Sequence, residues 1–358
     1  MERRKWVGWG VLVFVGAAFG AYYKYWRPSP TALSRLNAAQ VFSRADKALH
    51  DDSFSEILAF QNNLLPLGLN ISQLVNLPVP DSAVRTVALY EDSPTRWRMQ
   101  ELNVNNAVLG VVARAGTQVA TYMAKDNERT LDSLPQGLAA AGSPWELPSL
   151  NNWRSLVSRG RFADRRAYEV TLTPRNPGTL WGSLIYWFDG SSFLPLGMEV
   201  ENRAGAVSLQ ASVQLLKIGF RGSGANLPLV GRKVAWKFSG TLSQALEKAG
   251  PWSGRFPRVS FPLKLGPLSR VSQHQVGNNA LAVYGNGPGR VLVVDMGAKL
   301  FKGPGAPFFH PLAGWPGSLG VRDGIFTVVT FRHQGREVTL FSSRPQSLVE
   351  KWAKAAWQ

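Results

Sequence analysis

The side chains that most often carry catalysis or bind metals are few and scattered in this sequence. There is no cysteine, which excludes disulfides, thiolate metal sites, cysteine nucleophiles and a lipid-modified cysteine anchor. His50 is followed by Asp51 and Asp52, a combination that can bind a metal ion weakly. Because this triplet follows a helical stretch, we interpret it as a solvated helix end. The other histidines are isolated along the chain: His274, His310 and His333.

No enzyme signature is visible. The sequence contains neither a G-x-S-x-G nucleophile elbow nor a pair of carboxylates at catalytic spacing. A Ser–His–Asp triad built from distant residues stays an open alternative, because triads are defined by geometry. The segment Gly285–Gly289 is rich in glycine, but it lacks the Lys-Ser/Thr pair and the following helix of a phosphate-binding loop. We interpret it as a hairpin turn, and the sequence predicts a non-enzymatic protein without metal or cofactor.

Length and composition are typical of a folded chain with about two domains. The chain has 358 residues, of which 45% are hydrophobic and 18% charged. Its net charge of +17 is unevenly distributed. Residues 1–30 carry five basic and one acidic residue, residues 31–220 carry 17 of each, and residues 221–358 carry 18 basic and five acidic residues. A basic module of this kind suits nucleic acid, an anionic membrane surface or an acidic partner.

The N-terminal segment predicts a membrane anchor. The basic residues Arg3–Lys5 precede an uncharged apolar run, Trp6–Tyr23, which as a helix would be about 27 Å long. We therefore expect residues 1–30 to cross the cytoplasmic membrane once, leaving the bulk of the chain extracytoplasmic. Cleavage as a signal peptide stays open, although Ala17–Ala21 is a poor cleavage site. An extracytoplasmic location argues against nucleic acid as a partner.

The patterning after the anchor changes from helical to strand-like. Thr31–Leu67 has apolar residues at helical spacing, and Ser53–Glu56 resembles a capping box that would begin a second helix, Ile57–Leu65. Another one or two helices are expected within Leu131–Val157. Eight predicted strands share a period of two and are separated by turn signals: Val84–Tyr90, Arg96–Leu102, Val108–Arg114, Gln118–Met123, Ala167–Pro174, Leu184–Phe188, Leu196–Asn202 and Ser208–Phe220.

The polar, glycine-rich stretch near residue 222 predicts a boundary between two domains, 31–222 and 223–358. The second would be small, basic and α+β, with helices at Leu242–Ala249 and Pro345–Trp357. Its predicted strands alternate in the same way: Val271–Gln275, Ala280–Tyr284, Arg290–Met296, Ile325–Arg332 and Glu337–Phe341.

Six segments follow one another along the chain in a recognisable order: Arg161–Arg175, Leu184–Leu196, Met198–Gly205, Tyr284–Gly287, Arg322–Val329 and Gly335–Leu340. Together they resemble the LolA/LolB/RseB family, and in particular its two-domain RseB/MucB-like members. Arg161–Arg175 resembles the family's "G-R-x-A-x-x-V-x-L-x-P" strand, and Leu184–Leu196 its "L-W-x-D … L-P-L" strand pair. Met198–Gly205 resembles the hairpin that follows. In the small domain, the segments Tyr284–Gly287, Arg322–Val329 and Gly335–Leu340 resemble family strands. The sequence departs from the pattern at Ala115-Gly116, where the family has Asp-Gly.

The resemblance implies an α+β fold in which a strongly curved antiparallel sheet, a half-barrel, wraps around helices. In this family the resulting apolar cavity binds acyl chains, a lipoprotein anchor, or a peptide or lipopolysaccharide signal. The small basic domain would dock on a membrane component or on a partner such as an anti-sigma factor.

Two sets of residues are candidates for binding. Apolar residues that alternate along the strands would form the lipid-binding wall, although core packing is the alternative for each of them. Basic residues of the last third would dock on an anionic membrane surface or partner. The predicted wall comprises Trp97, Met99, Tyr168, Val170, Leu172, Leu184, Tyr186, Phe188, Leu196, Met198, Val200 and Val213. The predicted docking residues are Arg255, Arg258, Lys264, Arg270, Arg322, Arg332 and Arg336.

The sequence thus predicts a membrane-tethered extracytoplasmic protein that binds a lipid or the acyl chain of a lipoprotein. Two alternatives remain open. One is a regulator of the RseB/MucB kind, which would act on an anti-sigma factor in envelope stress signalling. The other is a cell-envelope hydrolase.

Overall fold

The protein is built mainly from two antiparallel sheets, with one helix near the start of the described chain and one at its end. The computed structural model describes residues 33–63, 84–124, 127–133, 145, 147–219, 223–226, 232–233, 259–276, 279–285, 289–297 and 309–357. The described residues from Leu36 onwards belong to one compact unit.

The first sheet has twelve strands in the order β12-β6-β5-β4-β3-β2-β1-β11-β10-β9-β8-β7. Neighbours are antiparallel except β12, which runs parallel to β6. The strands are β1 Phe54–Asn62, β2 Val84–Ser93, β3 Arg96–Leu102, β4 Val108–Ala115, β5 Gln118–Met123, β6 Glu128–Ser133, β7 Trp153–Phe162, β8 Arg165–Pro174, β9 Trp181–Asp189, β10 Pro195–Asn202, β11 Val207–Ile218 and β12 Arg232–Lys233.

The second sheet has eight strands in the order β13-β14-β15-β16-β20-β19-β18-β17. Helix α2, Gln346–Trp357, packs on it, and its Val349 and Trp352 join a core that includes Phe331 and Val338. The strands are β13 Lys264–Leu265, β14 Leu268–Val276, β15 Asn279–Tyr284, β16 Val291–Gly297, β17 His310–Pro311, β18 Leu319–Asp323, β19 Phe326–His333 and β20 Arg336–Ser342.

Helix α1, Ala38–Asp51, packs on the first sheet. It begins with a capping box, in which the side-chain oxygens of Asn37 and Gln40 each accept a hydrogen bond of 2.9 Å from the other residue's backbone N–H. The apolar side of the helix is buried, and the Phe42 ring lies edge-on to the rings of Tyr186 and Phe188 at 5.8 and 5.5 Å. The helix predicted at the start of the body is therefore confirmed.

The second predicted helix, Ile57–Leu65, is wrong, because residues 54–62 form strand β1. Phe54, Glu56, Leu58 and Phe60 alternate along this strand and are all buried. β1 pairs with β11 on one side and with β2 on the other, so its backbone hydrogen bonds are satisfied within the sheet. Tertiary pairing here overrides the local signal of a capping box at Ser53–Glu56.

The predicted strands of both sheets are confirmed, and their bounds differ from the observed ones by at most three residues at either end. The helices predicted within Leu131–Val157 are wrong at both ends of that range, where β6 and β7 lie; residues 134–144 are outside the described residues. The predicted helix Leu242–Ala249 and the predicted anchor at 1–30 are also outside them. Within the described ranges, no helix combines the length and apolarity needed to cross a membrane.

The two sheets contact each other through the connection between β8 and β9. The backbone N–H of Leu180 donates to the Ser343 carbonyl at 2.6 Å, and the indole N–H of Trp181 donates to the Ile325 carbonyl at 3.1 Å. β12, which follows the predicted domain boundary in sequence, is a strand of the first sheet. The division at residues 222 and 223 stays a prediction.

Candidate ligand-binding face

Strand register brings the predicted wall together on one side of the first sheet, which we call the apolar face. In one row, Val170 lies opposite Tyr186, Tyr186 opposite Met198, and Met198 opposite Ala211. Because side chains directly opposite each other in an antiparallel pair share a face, this row is continuous across β8 to β11. The neighbouring row contains Leu172, Leu184, Val200 and Leu209.

The part of the apolar face formed by β8 to β11 is a packed core. Every predicted wall residue on these four strands is buried. Phe42 of α1 covers the rings of Tyr186 and Phe188. We therefore assign these residues to the core that positions the sheet rather than to direct ligand contact: Tyr168, Val170, Leu172, Leu184, Tyr186, Phe188, Leu196, Met198, Val200 and Val213.

The apolar face is less covered where it continues onto β3 and β4. Met99 lies opposite Leu89 of β2 and Val112 of β4, so the three side chains share the face. Leu89 is buried, Met99 and Trp97 are half-buried, and the Val112 side chain is 38% exposed. Trp97, Met99 and Val112 form what we call the open sector of the apolar face.

Ionisable groups lie on the same face beside the open sector. Glu56 of β1 is 1% exposed, and its Oε2 accepts a hydrogen bond of 2.8 Å from the indole N–H of Trp145. Burial raises the pKa of Glu56 well above its usual value; the Trp145 hydrogen bond lowers it in part, and the charge of Glu91 raises it further. Glu91 and Arg114 lie opposite Trp97 in the register, and both are buried.

Sequence reasoning missed this ionisable group of the apolar face. A signal was present, because Glu56 occupies the inward position of an alternating pattern whose other members are Phe54, Leu58 and Phe60. The interpretation of residues 57–65 as a helix concealed it. A carboxyl group among the inward-facing apolar residues of a strand is the sequence feature that could have revealed Glu56.

Arg336 is wrongly included among the predicted docking residues. Its side chain is 1% exposed, and its Nε donates to both carboxylate oxygens of Asp295 at 2.8 Å. A cation that is buried and paired within the second sheet is inaccessible to a membrane or a partner. Its role is to neutralise Asp295, which is also completely buried.

The remaining described docking residues do not lie on one strand. Lys264, Arg322 and Arg332 are exposed, and Arg270 is half-buried with a hydrogen bond of 2.6 Å to the Phe261 carbonyl. Lys264 and Arg270 lie on β13 and β14, near one edge of the second sheet, and the other two on β18 and β19, near the opposite edge. Strands β14 and β19 are four spacings apart, or about 19 Å on a flat sheet. Arg255 and Arg258 lie outside the described residues.

His50 and Gly285, which were considered for metal and phosphate binding, lie at a helix end and at the end of a strand. His50 lies exposed in the last turn of α1, where its Nδ1 is 2.7 Å from the Asp46 carbonyl oxygen, so the helix-end interpretation is confirmed. Gly285 follows β15, which pairs antiparallel with β16, as expected for a hairpin connection. Among the described residues, no group of three or more His, Asp or Glu side chains is placed to hold a metal ion.

Comparison with known proteins identifies the fold. No protein-family model and no curated protein sequence matches this chain. Among solved structures, the chain is similar to the complex of Pseudomonas aeruginosa MucA and MucB, with 16% identity, a TM-score of 0.52, and coverage of 88% of this chain and 96% of that one. A crystal structure of MucB matches with 14% identity, a TM-score of 0.50 and the same coverage.

A LolA superfamily protein from Nitrosomonas europaea covers 53% of this chain, with 12% identity and a TM-score of 0.24, which is too low to support an argument. The MucB matches cover 88% of this chain, and they confirm the predicted resemblance in fold. At this level of identity the likeness concerns the fold alone. The chain therefore has an α+β fold similar to that of MucB.

Proposed function

We propose that this chain is a membrane-tethered, extracytoplasmic binding protein that holds the acyl chain of a lipid or lipoprotein against the open sector of its apolar face. The observation that carries the proposal is the change in coverage along one continuous face. The face is a sealed core on β8 to β11, but on β3 and β4 it leaves Trp97 and Met99 half-buried and Val112 38% exposed. Covering these side chains with an alkyl chain would remove apolar surface from water, at about 25 cal/mol per Å².

We further propose that the first sheet curves around α1 as a half-barrel. This helix of 14 residues is about 21 Å long and contacts both β2 and β7. These strands are six spacings apart in the sheet order, or about 29 Å if the sheet were flat. Contact with both strands is easier when the sheet bends towards the helix. The anchor at residues 1–30, which the sequence predicts, would hold this sheet outside the cytoplasmic membrane.

Binding of a fluorescent fatty-acid probe to the delipidated full chain tests the acyl-binding proposal. Val112→Asp places a charge in the open sector, and we expect it to weaken probe binding at least tenfold. Leu131→Asp is the matched control, because Leu131 is similarly exposed at 41% but lies on the opposite face of the same sheet.

The two variants separate acyl binding from general loss of structure. Equal thermal unfolding midpoints for Val112→Asp and Leu131→Asp, with probe binding reduced only in the first, support the proposal. Absence of saturable probe binding to the unsubstituted chain, or equal loss in both variants, contradicts it.

A second candidate function is a protein-binding regulator. It is favoured by the shared fold, because one of the similar solved structures is a complex of MucB with MucA. In that case the exposed cation Arg332 of β19 would contribute to docking on an acidic membrane protein. Co-purification of such a protein at low salt, lost in an Arg332→Glu variant that still binds the fatty-acid probe, would support a regulatory role that is independent of acyl binding.

A further inference from the structure

The first sheet ends in a long edge strand with an unusual charge. Of the four sheet edges in the described residues, three are strands of only two residues, namely β12, β13 and β17. The fourth is β7, with ten residues, Trp153–Phe162, and within the described part of the chain it pairs with β8 alone. A long edge strand offers a row of backbone donors and acceptors to any extended chain that approaches it.

The hairpin register identifies which backbone groups of β7 point outward. Ala163 and Asp164 both have positive φ, which makes the connection to β8 a two-residue turn flanked by the hydrogen-bonded pair Phe162 and Arg165. Every second residue from Phe162 backwards then bonds to β8. The residues between them, which include Ser155, Val157 and Arg161, direct their N–H and C=O groups towards the outer edge.

The charge of this hairpin selects the kind of strand that could add. Residues 153–174 contain five arginines and two acidic residues. Arg154, Arg159 and Arg161 of β7 itself are exposed, whereas Arg165 pairs with the buried Asp189. The acidic residues are Asp164, in the turn, and Glu169, which accepts a hydrogen bond from the Trp187 indole. A second copy of the chain would bring like charges together, whereas an acidic segment would neutralise them.

An exposed apolar side chain lies at the same edge, on the face of the first sheet opposite to the apolar face. Leu156 is 69% exposed on β7, between the outward-directed backbone positions of Ser155 and Val157. Arg159 and Arg161 lie on the face opposite to Leu156, so an added strand that alternates acidic with apolar side chains would place carboxylates near these two arginines and an apolar side chain near Leu156. Both features are local to β7, although residues 31–220 as a whole have no net charge.

We propose that the β7 edge is a docking site for an extended acidic segment of a protein partner, which adds to the first sheet as a further antiparallel strand. Backbone hydrogen bonds to the outward groups at Ser155, Val157 and Arg161 would supply affinity. The exposed arginines would select acidic sequences. The site lies on the sheet edge and is separate from the open sector of the apolar face.

Fluorescence anisotropy of the full chain with a labelled ten-residue peptide, in which glutamate alternates with threonine and valine, tests the proposal. We expect saturable binding that weakens with salt, and at least tenfold weaker binding of the same peptide with lysine in place of glutamate. Val157→Pro removes an outward N–H without removing a bond to β8, and should weaken binding at least tenfold. Lys217→Glu reverses an exposed charge on β11 and should leave binding unchanged.

Residue-resolved amide hydrogen exchange gives a readout that does not depend on a variant's folding. On addition of the glutamate peptide, the amides of Ser155, Val157 and Arg161 should become protected. The amides at the alternate positions of β7 are already protected by their hydrogen bonds to β8. Absence of saturable peptide binding, equal binding of the lysine peptide, or protection elsewhere would overturn the proposal. So would a dimer of the chain that Val157→Pro dissolves, or binding to anionic vesicles but to neither peptide.

Discussion

The indole Nε1 of Trp145 donates a hydrogen bond of 2.8 Å to Oε2 of Glu56, and this pair is buried within the apolar face. Among the described residues, Oε1 of the same carboxyl group has no hydrogen-bond partner. Burial raises the pKa of Glu56 well above its ordinary value of 4.5, and the nearby charge of Glu91 acts in the same direction. A carboxyl group in this setting favours its neutral form.

The raised pKa predicts that Glu56 makes the protein less stable as the pH increases. Above pH 4.5 the unfolded chain releases this proton while the folded chain retains it, so the free energy of unfolding falls until the folded-state pKa is reached. Glu56→Gln, which mimics the neutral acid, should be more stable than the unsubstituted chain at pH 7 and should lose less stability between pH 4.5 and pH 7. Urea unfolding at several pH values measures both effects.

The control for this experiment is Asp51→Asn, which neutralises an exposed carboxylate at the end of α1. It should leave the slope of stability against pH nearly unchanged. A Glu56→Gln variant whose pH profile parallels that of the unsubstituted chain would contradict the assignment of a buried neutral acid.

The buried pair of Arg336 and Asp295 predicts a strong dependence of the second sheet on both partners. Arg336→Met should lower the free energy of unfolding by about 3–5 kcal/mol, because it leaves the Asp295 carboxylate buried without its cation. Adding Asp295→Leu to the same chain should recover much of that loss. Arg332→Met, at an exposed position on β19, should change stability by less than about 0.5 kcal/mol. Equal losses of unfolding free energy in the Arg336 and Arg332 variants would show that the Arg336–Asp295 pair does not stabilise the second sheet.

Close packing on the outer side of the first sheet predicts that Gly197 cannot be replaced without cost. A Cβ at this position would lie 2.7 Å from the Phe162 ring, which stacks on Trp187 with a centroid distance of 4.4 Å, and 2.9 Å from the Ala211 carbonyl oxygen. Gly197→Ala should therefore lower the free energy of unfolding by about 1–3 kcal/mol.

Gly160→Ala is the matched control, because a Cβ there meets no heavy atom within 4 Å. It should be neutral, or stabilising by up to about 1 kcal/mol through the unfolded state. Similar destabilisation by both substitutions, measured by urea unfolding, would contradict the packing argument.

Alternation and turn chemistry were sufficient to predict most of the sheet structure. β3 and β5 have the predicted bounds, and β8 to β11 were found because strong period-two patterns lie between clear turns. β1 was missed because the sequence at Ser53–Glu56 matches a helix start. Its true conformation is decided by pairing with β2 and β11, which are distant in sequence.

Sequence patterning predicted which face of the sheet carries the candidate site, but it did not predict how deeply each part of that face is buried. Alternation places Met99 and Met198 on the same apolar face, yet only tertiary packing makes Met198 fully buried and leaves Met99 half-buried. Arg336 was taken for a surface cation because its partner Asp295 lies 41 residues away in the sequence. The list of predicted docking residues therefore overestimated the number of accessible cations on the second sheet.

The most direct test of the account is to photo-crosslink the full chain to a fatty acid that carries a diazirine, and to map the labelled residues by mass spectrometry. We predict labelling of the open sector within residues 96–115, on β3 and β4, and we expect excess unlabelled fatty acid and Val112→Asp to suppress it. Labelling confined to residues 6–23, or centred on the opposite face at Leu131, would contradict it.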